Sequence, residues 1–229
     1  MTSKGIIRRM QALTHEWKDN RDNRWVFLNC YTLMTENMLL GIEEGVFQDK
    51  EWVHRLLHHF ADYYFRSVMA FDRKDPTIPV VWEIAHRTSQ QPRTHVIQHL
   101  LLGINAHINY DLVFTLVSLL QQEWATLSNQ KKIQRYEDYR LVNEIIAGTI
   151  DIVQDNIVET QEPLMDIVDK IIGPVDEWVA SRLIYAWREE VWETALRILK
   201  TPEEQGREKI RQDIENRTLK ISNRILLKV

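Results

Sequence analysis

The segment GINAHINYDL, residues 103–112, places two amides, an imidazole, a phenol and a carboxylate inside the apolar run QHLLLGINAHINYDLVFTLVSLL. The groups are Asn105, His107, Asn109, Tyr110 and Asp111. An aspartate that accepts from one imidazole nitrogen fixes the ring's tautomer and raises its basicity. The other nitrogen is then left for general acid–base work or for a metal. His107 and Asp111 stand at i and i+4, the spacing at which helical side chains meet. Asn105 and Asn109 are suited to holding a substrate carbonyl or hydroxyl, and equally to tying helices together. Left unpartnered, a buried polar group costs roughly 1–3 kcal/mol and a charge more, so each needs a use.

A helical wheel divides the groups. With Asn105 at zero and about 100° per residue, Gln98 and Asn109 fall at roughly 20° and 40°, His107 and Asp111 at roughly 200° and 240°. The amides read first as structural stitches. His107 and Asp111 read either as chemistry or as a satisfied core pair. A second H-x-x-x-D, His58 and Asp62, occurs in HHFADYYF. If the two helices pack side by side, His58, Asp62, His107 and Asp111 offer four N/O donors suited to zinc, iron or manganese. The spacing is common by chance, and neither H-E-x-x-H nor a di-iron Glu-x-x-His accompanies it. Without a metal, Asp62 is an alternative orienter of His107. Tyr64, Trp82, Tyr110 and Asn143 complete the candidate contact set. Aromatics pack cores by default but also wall apolar pockets, and Asn143 sits beside inward-facing Val142.

Helices must position these groups, because helical periodicity dominates the chain. Residues 3–18 read as an amphipathic helix. A second begins after Asp22 or Asn23 and ends at Gly41 and Gly45. Asp49 caps a third, carrying Trp52, Leu56, Phe60 and Tyr63/Tyr64 on one stripe. Pro79 opens a short helix, VVWEIAHRT. Residues 95–127 read as one buried central helix, apolar nearly all round. SNQKKIQRYED is a connector or the exposed start of the next helix, with Asp138 a candidate cap. Pro163 and Pro174 suit further helix starts, and Thr201–Glu204 reads as a capping box with proline first. The expectation is an all-α bundle of eight or nine helices in one domain over 1–200. Residues 201–229 read as a peripheral charged helix and tail.

The 229 residues, 44% of them hydrophobic, suffice for one sizeable core. A net charge of -4 and scattered basic residues give no nucleic-acid stripe. Seven glycines and six prolines fit long helices with short connections. The single cysteine, Cys30 in WVFLNCYTLM, fits a buried thiol in a reducing, cytoplasmic setting. Arg8, Arg9 and Gln11 break the apolar core a signal peptide needs. Charges interrupt every long apolar window, so no transmembrane span is expected. Walker, G-x-G-x-x-G and G-x-S-x-G motifs are missing.

FADYYF, IPVVW, QHLLLGINAHINYDL and EDYRLVNEII together resemble a bacterial family classed as a domain of unknown function, whose hallmark is a near-identical G-x-N-A-H-I-N-x-D-L segment. The resemblance covers roughly residues 25–200. It implies an all-helical domain and points to Asp62, His99, Asn105, His107, Asn109, Asp111, Asp138 and Asn143 as motif positions. It implies no reaction.

Three functional readings remain open. The favoured one is an enzyme acting on a small, partly apolar molecule, with His107 as general acid or base oriented by Asp111 or Asp62, with or without a divalent metal. The second is a non-catalytic carrier of a hydrophobic ligand. The third is an interaction protein, in which the polar residues only tie helices together. A homo-oligomer is compatible with all three.

Overall fold

The computed structural model describes residues 3–92, 94–153 and 177–227. The expected helix starts at Pro163 and Pro174 lie outside them. Four helices open the chain: α1 (Ser3–Asp19), α2 (Arg24–Glu43), α3 (Lys50–Asp72) and α4 (Val80–Ser89). The central run follows as α5 (Val96–Asn105), a π-helical segment (Ala106–Asp111) and α6 (Leu112–Leu120). Then come α7 (Asn129–Val153), α8 (Glu177–Lys200) and α9 (Glu204–Leu227). With the central run taken as one, these are eight helices among the described residues, without strands, in a single compact domain.

Local signals explain most boundaries. Asp49 accepts from the Trp52 N–H at 3.0 Å and caps α3. The chain leaves α2 through Gly45, whose positive φ of 75° suits glycine. His95 accepts from the Ile97 N–H, while the Gln98 side chain reaches back to the His95 N–H, so the central run opens on a reciprocal cap. That run is shorter than expected, ending at Leu120, and its middle is wound as a π-helix.

Two capping expectations are corrected. Residues 129–138 already belong to α7, so Asp138 starts no helix. Its two carboxylate oxygens instead accept from the Gln48 and Asp49 N–H groups, both at 2.8 Å, and so brace the entrance of α3. Thr201 does not cap α9, because its hydroxyl turns back to the Arg197 carbonyl at the end of α8.

The larger correction concerns α9. Rather than lying at the periphery, it buries Ile210, Ile214, Thr218, Ser222 and Ile225. These fall at spacings of three and four, one narrow face of a helix. Their small members let α9 approach the central run, which packs against α9 on one side and against α2 and α3 on others. By length and composition alone, Val96–Leu120 is long and apolar enough to cross a membrane, and two thirds of its most apolar stretch is buried by the other helices.

Candidate functional site

The π-helical turn is where the polar residues cluster. Such turns are rare and concentrate at functional positions, because one extra residue per turn re-aims the side chains around it. Here His107 and Asp111 remain in contact, with Nδ1 3.0 Å from Oδ2. The Trp82 indole N–H donates to the same Oδ2 at 2.9 Å. Both protein hydrogen bonds of the carboxyl thus fall on one oxygen. The pair is almost wholly buried, with His107 2% and Asp111 1% exposed.

Aromatic rings surround His107. Phe60 stacks on it with centroids 3.5 Å apart and planes within 6°. Tyr31 stands edge-on at 4.4 Å, and Phe27, Tyr64 and Trp82 lie at 5.8–6.1 Å. The imidazole Nε2 has no hydrogen-bond partner in this cage, nor has the Tyr31 hydroxyl. Burial drives His107 well below its ordinary pKa and Asp111 well above its own, the Trp82 bond only partly offsetting the latter. In an apolar cage the neutral form of each group is favoured. Burial thus favours a neutral imidazole against a protonated carboxyl over the ion pair.

Trp82 is itself fixed from behind. Its ring stacks on His86 at 5.1 Å and 18°, and the His86 Nε2 lies 3.2 Å from the Ser67 hydroxyl. Burial lowers His86 to about 3, so it too is neutral.

Asp111 and Trp82 form the buried end of a cleft of about 620 Å³ between α3, the start of α4, the π-turn and α9. Tyr63, Tyr110, Phe114 and Ile78 supply apolar wall, and Arg66, Arg73, Glu208, Arg211 and Glu215 bring charge. His107 is not in the lining. The expected order of the pair is therefore reversed: the carboxyl faces the cleft, and the imidazole stands behind it.

The other expected residues divide. Tyr110 and Trp82 line the cleft. Tyr64 belongs to the cage instead. Asn105 faces α9, donating to the Thr218 carbonyl and the Ser222 hydroxyl, both at 3.0 Å, and Asn109 donates to it at 2.9 Å. With Gln98 bonded to the Ile225 carbonyl, the amide row stitches two helices together. Asn143 lines a separate cleft. Asp62 is exposed on α3 and is no orienter of His107. His58 is half-buried with its ring against His54. The four-donor metal set is thus not assembled, since Phe60 rather than His58 or Asp62 occupies the face of α3 turned to His107. Among the described residues no group of three or more His, Cys, Asp and Glu side chains could hold a metal ion. His99 is buried, as its apolar setting suggests.

Sequence reasoning missed Phe27, Tyr31 and Phe60 as the cage, and the α9 residues as cleft wall. The Ile210–Ile214–Thr218–Ser222–Ile225 stripe was the available signal, hidden because two of its members are polar.

A sequence profile of a family of unknown function (DUF5995) matches residues 4–228. The match reaches beyond the 25–200 of the sequence resemblance and takes in α9. No curated protein and no solved structure matches the chain.

Proposed function

The chain belongs to this family of unknown function, so a functional reading rests on geometry: we propose that it is an enzyme acting on a small, partly apolar molecule in the Asp111 cleft. Asp111 is the general acid and hydrogen-bond donor to a substrate carbonyl or hydroxyl. A carboxyl kept neutral by an apolar site can donate at neutral pH, which an ordinary aspartate cannot. His107 is the positioning residue: as the Nδ1–H tautomer it donates to the same Oδ2 that accepts from the Trp82 N–H. The proton of the acid then sits on Oδ1, the oxygen that Trp82 and His107 leave free. When it leaves, the two N–H donors already in place receive the negative charge, which lowers the cost of forming a buried carboxylate. Tyr63, Tyr110 and Phe114 hold the apolar part of the molecule.

The observation that carries the reading is the convergence of the Trp82 N–H and the His107 Nδ1 on one oxygen of a buried carboxyl that lines a cleft. A panel of small aromatic and alicyclic ketones, alcohols and acids, screened by methyl NMR, tests it. The expected result is a subset that shifts Met69 and Ile78 in the cleft wall, and loses this effect and any turnover in folded Asp111→Asn. Compounds that bind Asp111→Asn as tightly, with turnover unchanged, would overturn the acid role.

A further inference from the structure

Among the described residues three arginines are buried, and two of them explain themselves. Arg24 is held between Asp22 and Asp72, and Arg135 between Asp49 and Glu123. Arg188 in α8 is 3% exposed, and no described carboxylate lies within ion-pair distance of it. Its Nε donates to the Asn143 Oδ1 and its Nη2 to the Tyr139 carbonyl, both at 2.7 Å. The guanidinium also lies over the Tyr139 ring, 4.2 Å from its centroid. All three partners are neutral. The carboxylate that follows in the chain, Glu189, is engaged by the Tyr136 hydroxyl and by Arg140. A guanidinium does not shed its proton to escape burial, so its charge persists, and among the described residues it has only the more distant attraction of Glu189 and no ion pair to offset its desolvation. The contrast shows in the titration: their carboxylates hold Arg24 and Arg135 above the usual guanidinium range, whereas burial holds Arg188 below it.

A second unfilled group lies beside it. The Asn143 Nδ2 is buried and has no hydrogen-bond partner, although its Oδ1 is committed to Arg188. Asn143 is part of the wall of a cleft of about 690 Å³, formed with Val46 and Gln48 before α3, with α7, and with Arg182 and Tyr185 of α8. Two of the acids in that wall are already occupied: Asp138 by two backbone N–H groups, and Glu137 by the Gln48 side chain. An unused N–H donor thus belongs to the wall of a space sized for a small molecule, with a buried cation directly behind it on the same asparagine.

We propose that the cleft wall at Asn143 binds a small anion, a carboxylate or phosphate group that accepts from the Asn143 Nδ2 and is held by the charge of Arg188 behind it. The site is separate from the Asp111 cleft and does not depend on its chemistry.

Thermal unfolding and isothermal titration of the full chain with inorganic phosphate and with acetate test this, at ionic strength fixed with chloride. Wild type should show a saturable rise in Tm with at least one of the two. A response to phosphate alone assigns a phosphate-bearing ligand, and a response to acetate a carboxylate. Asn143→Asp places an internal counter-ion at the Arg188 Nε. It should unfold at higher temperature than wild type without added anion and lose the anion response. Asn143→Leu should lose the response without that gain. Arg188→Met should lose it too, and if that variant fails to fold the two Asn143 variants carry the test. No saturable response in wild type to either anion, or an undiminished one in Asn143→Asp, overturns the proposal.

Discussion

Replacing Asp111 by asparagine leaves His107 as the only titrating member of the buried pair. The amide oxygen can still accept from the Trp82 N–H, so the fold should survive. The folded pair carries one proton, on Asp111, because burial raises the carboxyl well above 3.8 and lowers the imidazole well below 6.5. Between these two values the unfolded chain also carries one proton, on the histidine. The wild-type pair therefore adds no slope to stability in that window. In Asp111→Asn the folded site carries none, while the unfolded histidine still takes one. A depressed histidine contributes stability that is fully present above 6.5 and is lost as pH falls toward its folded value. At about 1.4 kcal/mol per pH unit, the variant should lose roughly 2–3 kcal/mol relative to wild type on going two units below 6.5. His107→Gln should behave with the opposite sign. Its lone, raised Asp111 contributes stability below 3.8 that is lost as pH climbs through the folded value. The assay is urea unfolding at a series of pH values, each variant subtracted from wild type. Difference curves flat to within about 0.5 kcal/mol would refute the neutral buried pair.

Other outcomes follow from the same geometry. A Cβ at Gly103 would collide with the Phe27 ring, so Gly103→Ala must displace one wall of the cage. It should cost about 1–3 kcal/mol in chemical denaturation and shift the His107 ring signals in NMR. Trp82→Phe keeps a ring on His86 but removes the N–H to Asp111. It should cost about 1–2 kcal/mol and raise the Asp111 pKa further, moving any activity limb assigned to that acid to higher pH. A chain ending at Lys200 loses the partners of Gln98 and Asn105 and the buried face of α9. Circular dichroism should show no cooperative unfolding, whereas a peripheral helix would be removed with little effect.

The fold was largely legible because helical periodicity, the Asp49 cap and the apolar central run all agree. The pairing of His107 with Asp111 was legible for the same reason, since i and i+4 remain neighbours even in the π-turn. Three things were not. One is which member of the pair faces open space, since that depends on where α3, α4 and α9 leave a gap. The metal set failed because H-x-x-x-D fixes spacing within a helix but not its rotation, and α3 turns Phe60 rather than His58 or Asp62 toward His107. The packing of α9 was masked by composition: Thr218 and Ser222 read as surface, yet both are buried and both receive Asn105.

The central claim is that Asp111 is a neutral carboxylic acid at the cleft wall. The infrared difference between wild type and Asp111→Asn at neutral pH reads this directly. The account predicts that wild type carries the carbonyl stretch of a protonated carboxyl, that the variant lacks it, and that the ionised carboxylate bands cancel. A difference spectrum showing a lost carboxylate and no lost acid carbonyl would contradict it.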